Sequence, residues 1–111
     1  MANKPELMPG TLDLLILKTL TRAPLHGYGI ALSIKRLSDE VLTVEEGSLY
    51  PALHKLEQEG WIKAEWKQTE NNRRAKFYSL TRLGRRQLET ETANWQRLSA
   101  AISHVVQLSQ T

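Results

Sequence analysis

The sequence contains no cysteine, and that single absence removes a disulfide framework, a thiolate zinc site and a cysteine nucleophile. No apolar run approaches the roughly 18 residues of a membrane span, and residues 1–9 lack the basic-then-apolar pattern of a secretory leader. A cytoplasmic location is therefore expected. A glycine-rich phosphate loop, a nucleophile with its base and an acid pair are also missing, so no enzyme and no cofactor is expected. His26, His54 and His104 are widely separated and lack ligand spacing, which speaks against a metal site. Internal repeats, low-complexity segments and linkers are absent too.

What is present suits a single folded domain. The 111 residues suffice for one core, and 41% hydrophobic with 24% charged residues is ordinary for a globular chain. Net charge is only +3, but it is unevenly placed. Between residues 63 and 86, Lys63, Lys67, Arg73, Arg74, Lys76, Arg82, Arg85 and Arg86 face only Glu65 and Glu70, a local +6 against −3 elsewhere. Such an excess inside a folded domain is either a solvated loop or a phosphate-binding surface.

Residues 11–22 carry Leu12, Leu14, Leu15, Ile16, Leu17 and Leu20 around nearly the whole circumference of a helix. A helix apolar on all sides needs burial on more than one side, by its own core and by a partner chain. After Ala23-Pro24 a short second helix opens at His26-Gly27-Tyr28-Gly29. Thr43 and Glu46 have capping-box spacing and predict the start of a third helix running to about Glu59. On it Leu49, Ala52, Leu53 and Leu56 share a face, leaving Ser48, Pro51, His54, Lys55 and Gln58 outward. Pro51 crowds the carbonyl four residues back, where Gly47 has the backbone freedom to yield.

Gly60 ends that helix. Residues 61–67 alternate in period two as a half-buried strand does, and residues 75–80 read as its return. The polar turn between them, with Asn71, Asn72, Arg73 and Arg74, gives a hairpin with a basic tip. From Thr81, a good N-cap, a long helix is predicted to about Leu108, with Gly84 weakening only its beginning. Leu88, Trp95, Leu98, Ile102 and Val105 form a broken seven-residue seam along it, suited to packing against a partner's helices. Trp61 and Trp66 read as strand residues packing the hairpin onto the helices.

The expected fold is thus mainly α (α+β): a winged helix-turn-helix over residues 1–80 with a two-stranded wing, then a long C-terminal dimerisation helix over 81–111. In that architecture the third helix enters the major groove and wing cations meet phosphates. The runs at residues 10–17, 26–30, 46–53 and 73–81 (GTLDLLIL, HGYGI, EGSLYPAL and RRAKFYSLT) resemble the PadR family of bacterial transcriptional regulators over almost the whole chain. The match is closest to the short subfamily with one C-terminal helix. The resemblance implies a homodimeric repressor on a pseudo-palindromic operator, dimerised by the last helix with help from the first. It also implies release by a small aromatic inducer, since paired tryptophans at the dimer centre of some relatives sandwich flat drugs.

Candidate DNA contacts are Tyr28, Ser48, Tyr50, His54, Lys55, Asn72, Arg73, Arg74 and Lys76. Tyr50 reads either as a phosphate contact, which the resemblance favours, or as a packed ring. Tyr28 and His26 open the second helix, where free N–H groups favour an anion, and Tyr28 is the preferred of the two. Trp95 is the candidate ligand contact, or else a dimer-core tryptophan. Leu14, Leu17, Leu88, Trp95, Leu98, Ile102 and Val105 are the candidate dimer interface. The rival reading is a winged-helix protein-interaction module, which has no need of the +6 segment.

Overall fold

The computed structural model describes residues 10–108; residues 1–9 and the end of the 81–111 unit lie outside the described residues. The chain runs α1 (Thr11–Thr19), β1 (Leu25–His26), α2 (Gly27–Leu37), α3 (Glu46–Gln58), β2 (Ile62–Gln68), β3 (Arg74–Leu80) and α4 (Arg82–Val106). This is the expected winged-helix order, mostly helical with a small antiparallel sheet.

α1 is shorter than its apolar pattern. The Thr19 and Thr21 hydroxyls donate to the Leu15 and Lys18 carbonyls, both at 2.7 Å, and the helix stops at the first of them. Ile16 and Leu17 are fully buried beside Ile30, Leu49, Leu53, Leu56 and Ile62. Leu17 therefore cannot serve a partner chain as the pattern suggested: it is consumed by the chain's own core. Leu88 also packs on that core, whereas Leu14 stays half-buried.

The Thr43–Glu46 capping box does not form. α3 begins at Glu46 with Glu45 at the N-cap and no side-chain cap, leaving Thr43 too far before the first turn to reach it. The helix runs unbroken through Pro51. It ends on Gly60 at φ 79°, with Gly60 N–H donating to the Glu57 carbonyl at 3.0 Å and Trp61 N–H to the Leu56 carbonyl at 3.1 Å. That pair of bonds is a Schellman stop, which needs a left-handed residue.

β2 and β3 pair from Ile62↔Leu80 to Gln68↔Arg74. A third strand completes the sheet in the order β1-β3-β2, with Leu25 opposite Tyr78 and His26 opposite Phe77. The wing hairpin is two-stranded as expected, but β1 clips it to the start of α2.

α4 is welded to the end of α3. Thr81 Oγ1 accepts from Gly84 N–H at 3.0 Å and donates to the Gly60 carbonyl at 2.6 Å. Gly84 is buried, and a Cβ there would lie 2.0 Å from the Trp61 carbonyl oxygen. It is required by this close approach and is more than a weak helix former. α4 packs its first half on α1. The radius of gyration of 16.0 Å exceeds the roughly 13 Å of a compact chain this long, as a projecting helix requires.

Candidate nucleic-acid interface

The start of α2 is built by His26, whose Nδ1 accepts from Gly29 N–H at 3.0 Å while its ring meets Phe77 edge-on at 5.2 Å. His26 is thereby used as a cap. Tyr28 beside it is 71% exposed. Tyr50 rises from α3 over the same helix start, and a Cβ on residue 27 would sit 2.6 Å from its hydroxyl oxygen. Only glycine at 27 admits that approach. Ser48 and His54 lie exposed on the outer side of α3, while Leu49, Leu53 and Leu56 face the core.

A cleft between wing and helices gathers Tyr28, Tyr50, Trp66, Arg73, Arg74 and Lys76 into one surface. The Arg74 guanidinium lies 5.6 Å over the Trp66 ring, an arrangement that favours a cation on the ring's negative face. Trp66 is exposed and does not pack the wing onto the helices; Trp61, just before β2, does that. Lys76 Nζ reaches Glu57 Oε1 at 3.3 Å and lies over the Tyr78 ring at 5.7 Å, tying the wing to α3. Arg73 and Arg74 are exposed and have no ion-pair partner among the described residues. Asn72 shapes the tip: its φ is 63°, its N–H donates to the Thr69 carbonyl, and its side chain accepts from Gln68.

Lys55 is placed differently from its neighbours on α3. Its Nζ donates to Asp13 Oδ2 of α1 at 2.8 Å, and that hydrogen bond and charge raise the Lys55 pKa above the ordinary lysine value. Asp13 is buried, so the pair fastens α3 to α1.

Trp95, Leu98 and Ile102 of α4 are 41, 43 and 44% exposed, and Val105 more so. Leu14, Trp95 and Leu98 line a shallow groove of about 160 Å³ between α1 and α4, with Glu91 and Asn94. Burial first, and then the charge of Asp13, push the Glu91 carboxyl above the usual carboxylate range. Asp13, Glu57, Glu91 and the Trp66–Arg74 pair escaped sequence reasoning. Their roles depend on how separate elements meet, and periodicity within an element carries no signal for them.

Residues 16–90 match the model of the transcriptional regulator PadR-like family. The chain belongs to the PadR family. Among solved structures, this PadR chain is similar to a transcriptional regulator from Clostridium thermocellum, with 28% identity, TM-score 0.79 and coverage of 86% of this chain and 93% of that one. It is similar to a PadR family regulator from Clostridium difficile at 28% identity and TM-score 0.73, covering 87 and 99%. A third, from Eggerthella lenta, is 31% identical at TM-score 0.74, covering 90 and 85%. The chain is accordingly a transcriptional regulator and not an enzyme. No helix among the described residues of this PadR regulator is long and apolar enough to cross a membrane.

Proposed function

We propose that the protein is a cytoplasmic homodimeric repressor that binds a pseudo-palindromic operator, with residues 1–80 as the DNA-binding unit and 81–111 as the dimerisation helix. The observation that carries this reading is the cleft in which Tyr28 of α2 and Tyr50 of α3 meet Arg73, Arg74 and Lys76 of the wing, with Ser48 and His54 exposed on α3. Ser48 and His54 address base edges, Tyr28 and Tyr50 phosphates, and Asn72, Arg73 and Arg74 the backbone or minor groove beside them. Lys76 holds the wing to α3 through Glu57 while adding positive charge. Lys55 is assigned to the Asp13 pair, where it fixes the angle of α3.

The exposed seam Trp95, Leu98, Ile102 and Val105, with Leu14, supports a two-fold interface along α4. The groove of about 160 Å³ is below the roughly 300–1,000 Å³ of a small-molecule site. An inducer site at Trp95 therefore requires a second copy to complete it, with a flat aromatic inducer seated between the two Trp95 rings.

Hydroxyl-radical footprinting upstream of the protein's own gene tests the reading. Two protected patches related by a dyad and about 10 base pairs apart, or a multiple of that, are expected. A continuous, sequence-indifferent footprint would instead mark a non-specific DNA binder, and no footprint would favour the protein-interaction module.

A further inference from the structure

Duplex DNA accounts for the cations of the wing cleft but not for all of its aromatic rings. A base-paired helix hides the faces of its bases in the stack and offers phosphates and base edges to a protein. Tyr28 and Tyr50 carry hydroxyls that suit phosphates, whereas Trp66 has only a ring and one N–H to offer. It is nevertheless 58% exposed, with the Arg74 guanidinium already lying over it. The strand register puts it there. Trp66 pairs with Lys76 and Gln68 with Arg74, so Trp66, Arg74, Lys76 and, one pair further in, Tyr78 share one face of the hairpin. With Tyr28 and Tyr50 they line a cleft of about 490 Å³, within the roughly 300–1,000 Å³ of a small-molecule site.

The charge of this cleft has one sign. Its described lining holds Arg73, Arg74 and Lys76 and no carboxylate. Lys76 is engaged by Glu57 at 3.3 Å, while Arg73 and Arg74 have no ion-pair partner among the described residues. α2 opens into the same cleft with Gly27 and Tyr28, and the positive end of its dipole adds to the pull on an anion. An exposed aromatic ring beside two free guanidinium groups can hold an unpaired base by stacking and its phosphates by charge. We propose that the wing cleft binds a nucleoside polyphosphate, with the base on Trp66 and the phosphates on Arg73 and Arg74. Two free cations favour more than one phosphate. The site overlaps the operator surface, so nucleotide and duplex exclude one another; this competition rests on the DNA-binding reading above, and nucleotide binding itself does not.

The test compares adenosine triphosphate with its two halves, adenosine and inorganic triphosphate. Each is titrated into the full chain by calorimetry without divalent metal, with the indole N–H resonances of Trp61, Trp66 and Trp95 followed by NMR. The nucleotide is expected to bind at least about tenfold more tightly than either half, and to move Trp66 but not Trp61 or Trp95. Trp66→Ala should bring the nucleotide to the affinity of triphosphate, and Trp66→Phe, which keeps a stacking face, should restore most of the difference. The nucleotide should also displace a labelled duplex from upstream of the protein's own gene. Equal affinity of nucleotide and triphosphate, with Trp66 unmoved, would overturn the proposal and leave Trp66 as a shelf for Arg74. Movement of Trp95 in place of Trp66 would overturn the placement, and simultaneous binding of nucleotide and duplex would overturn the overlap. Duplex binding with no nucleotide binding would overturn the proposal while the operator reading stands. Nucleotide binding at Trp66 without duplex binding would bear the site out while the operator reading falls. The probe series needs no variant, so a folding defect in either substitution does not decide the result.

Discussion

Glu91 places a titrating group where ionisation works against folding. Its pKa is raised in the folded chain, so the folded state holds the proton to higher pH than the unfolded state does. Stability consequently falls as pH rises from the ordinary carboxylate range through the raised value, and the full penalty is present above it. Glu91→Gln removes the penalty: its melting temperature should exceed the parent's at neutral pH, and the difference should vanish as pH drops below the ordinary glutamate range. Thermal melts across that range check the sign; a stabilisation that grows toward acid pH would contradict it. Lys55 is the complementary case. Lys55→Met strands the buried Asp13 carboxylate and should cost about 1–3 kcal/mol in chemical denaturation, largely recovered by adding Asp13→Asn. Gly84→Ala forces a Cβ against the Trp61 carbonyl and should cost about 3 kcal/mol, far more than an exposed helix position where alanine is favoured over glycine.

Among the elements, the wing carries the most specific expectation. Replacing both Arg73 and Arg74 by alanine should weaken operator and random DNA alike and lower the slope of log affinity against log salt by about 1 for each phosphate no longer neutralised. An unchanged slope in equilibrium titrations would make the two arginines merely solvated. Trp66→Ala should act in the same direction but more weakly, since it releases Arg74 from its ring without removing the charge. The elements themselves were largely legible in the sequence. Alternation marked the hairpin, Gly60 marked the end of α3, and Thr81 marked the start of α4. Less legible were features set by other elements. β1 has two residues, too few for any period, and exists because β3 lies beside it. Thr43 and Glu46 have the right spacing for a cap, but the chain enters α3 two residues later than a Thr43 cap demands. Leu14 and Leu17 look alike on an all-apolar helix, and only the placement of the core separates the buried one from the one on the groove.

At the scale of the whole molecule, two separate surfaces surround a small core and share no lining residue. α3 and the wing face outward at one, while α1 and the projecting half of α4 leave an unpartnered apolar seam at the other. A second copy on that seam would present two recognition helices, and Ile102→Glu should therefore shift the sedimenting species to the mass of one chain. The coupling of the two surfaces has to be reciprocal. A small aromatic inducer that lowers DNA affinity must itself bind the DNA-loaded dimer more weakly by the same factor.

The most direct test is a fluorescence-anisotropy titration of the intact protein on DNA from upstream of its own gene, beside a scrambled duplex, at two salt concentrations. An operator-binding repressor binds the first duplex tightly and the second at least several-fold more weakly, with a marked loss of affinity for both at the higher salt. A folded dimer that binds neither duplex at either salt, or binds both equally with no dependence on salt, would contradict it.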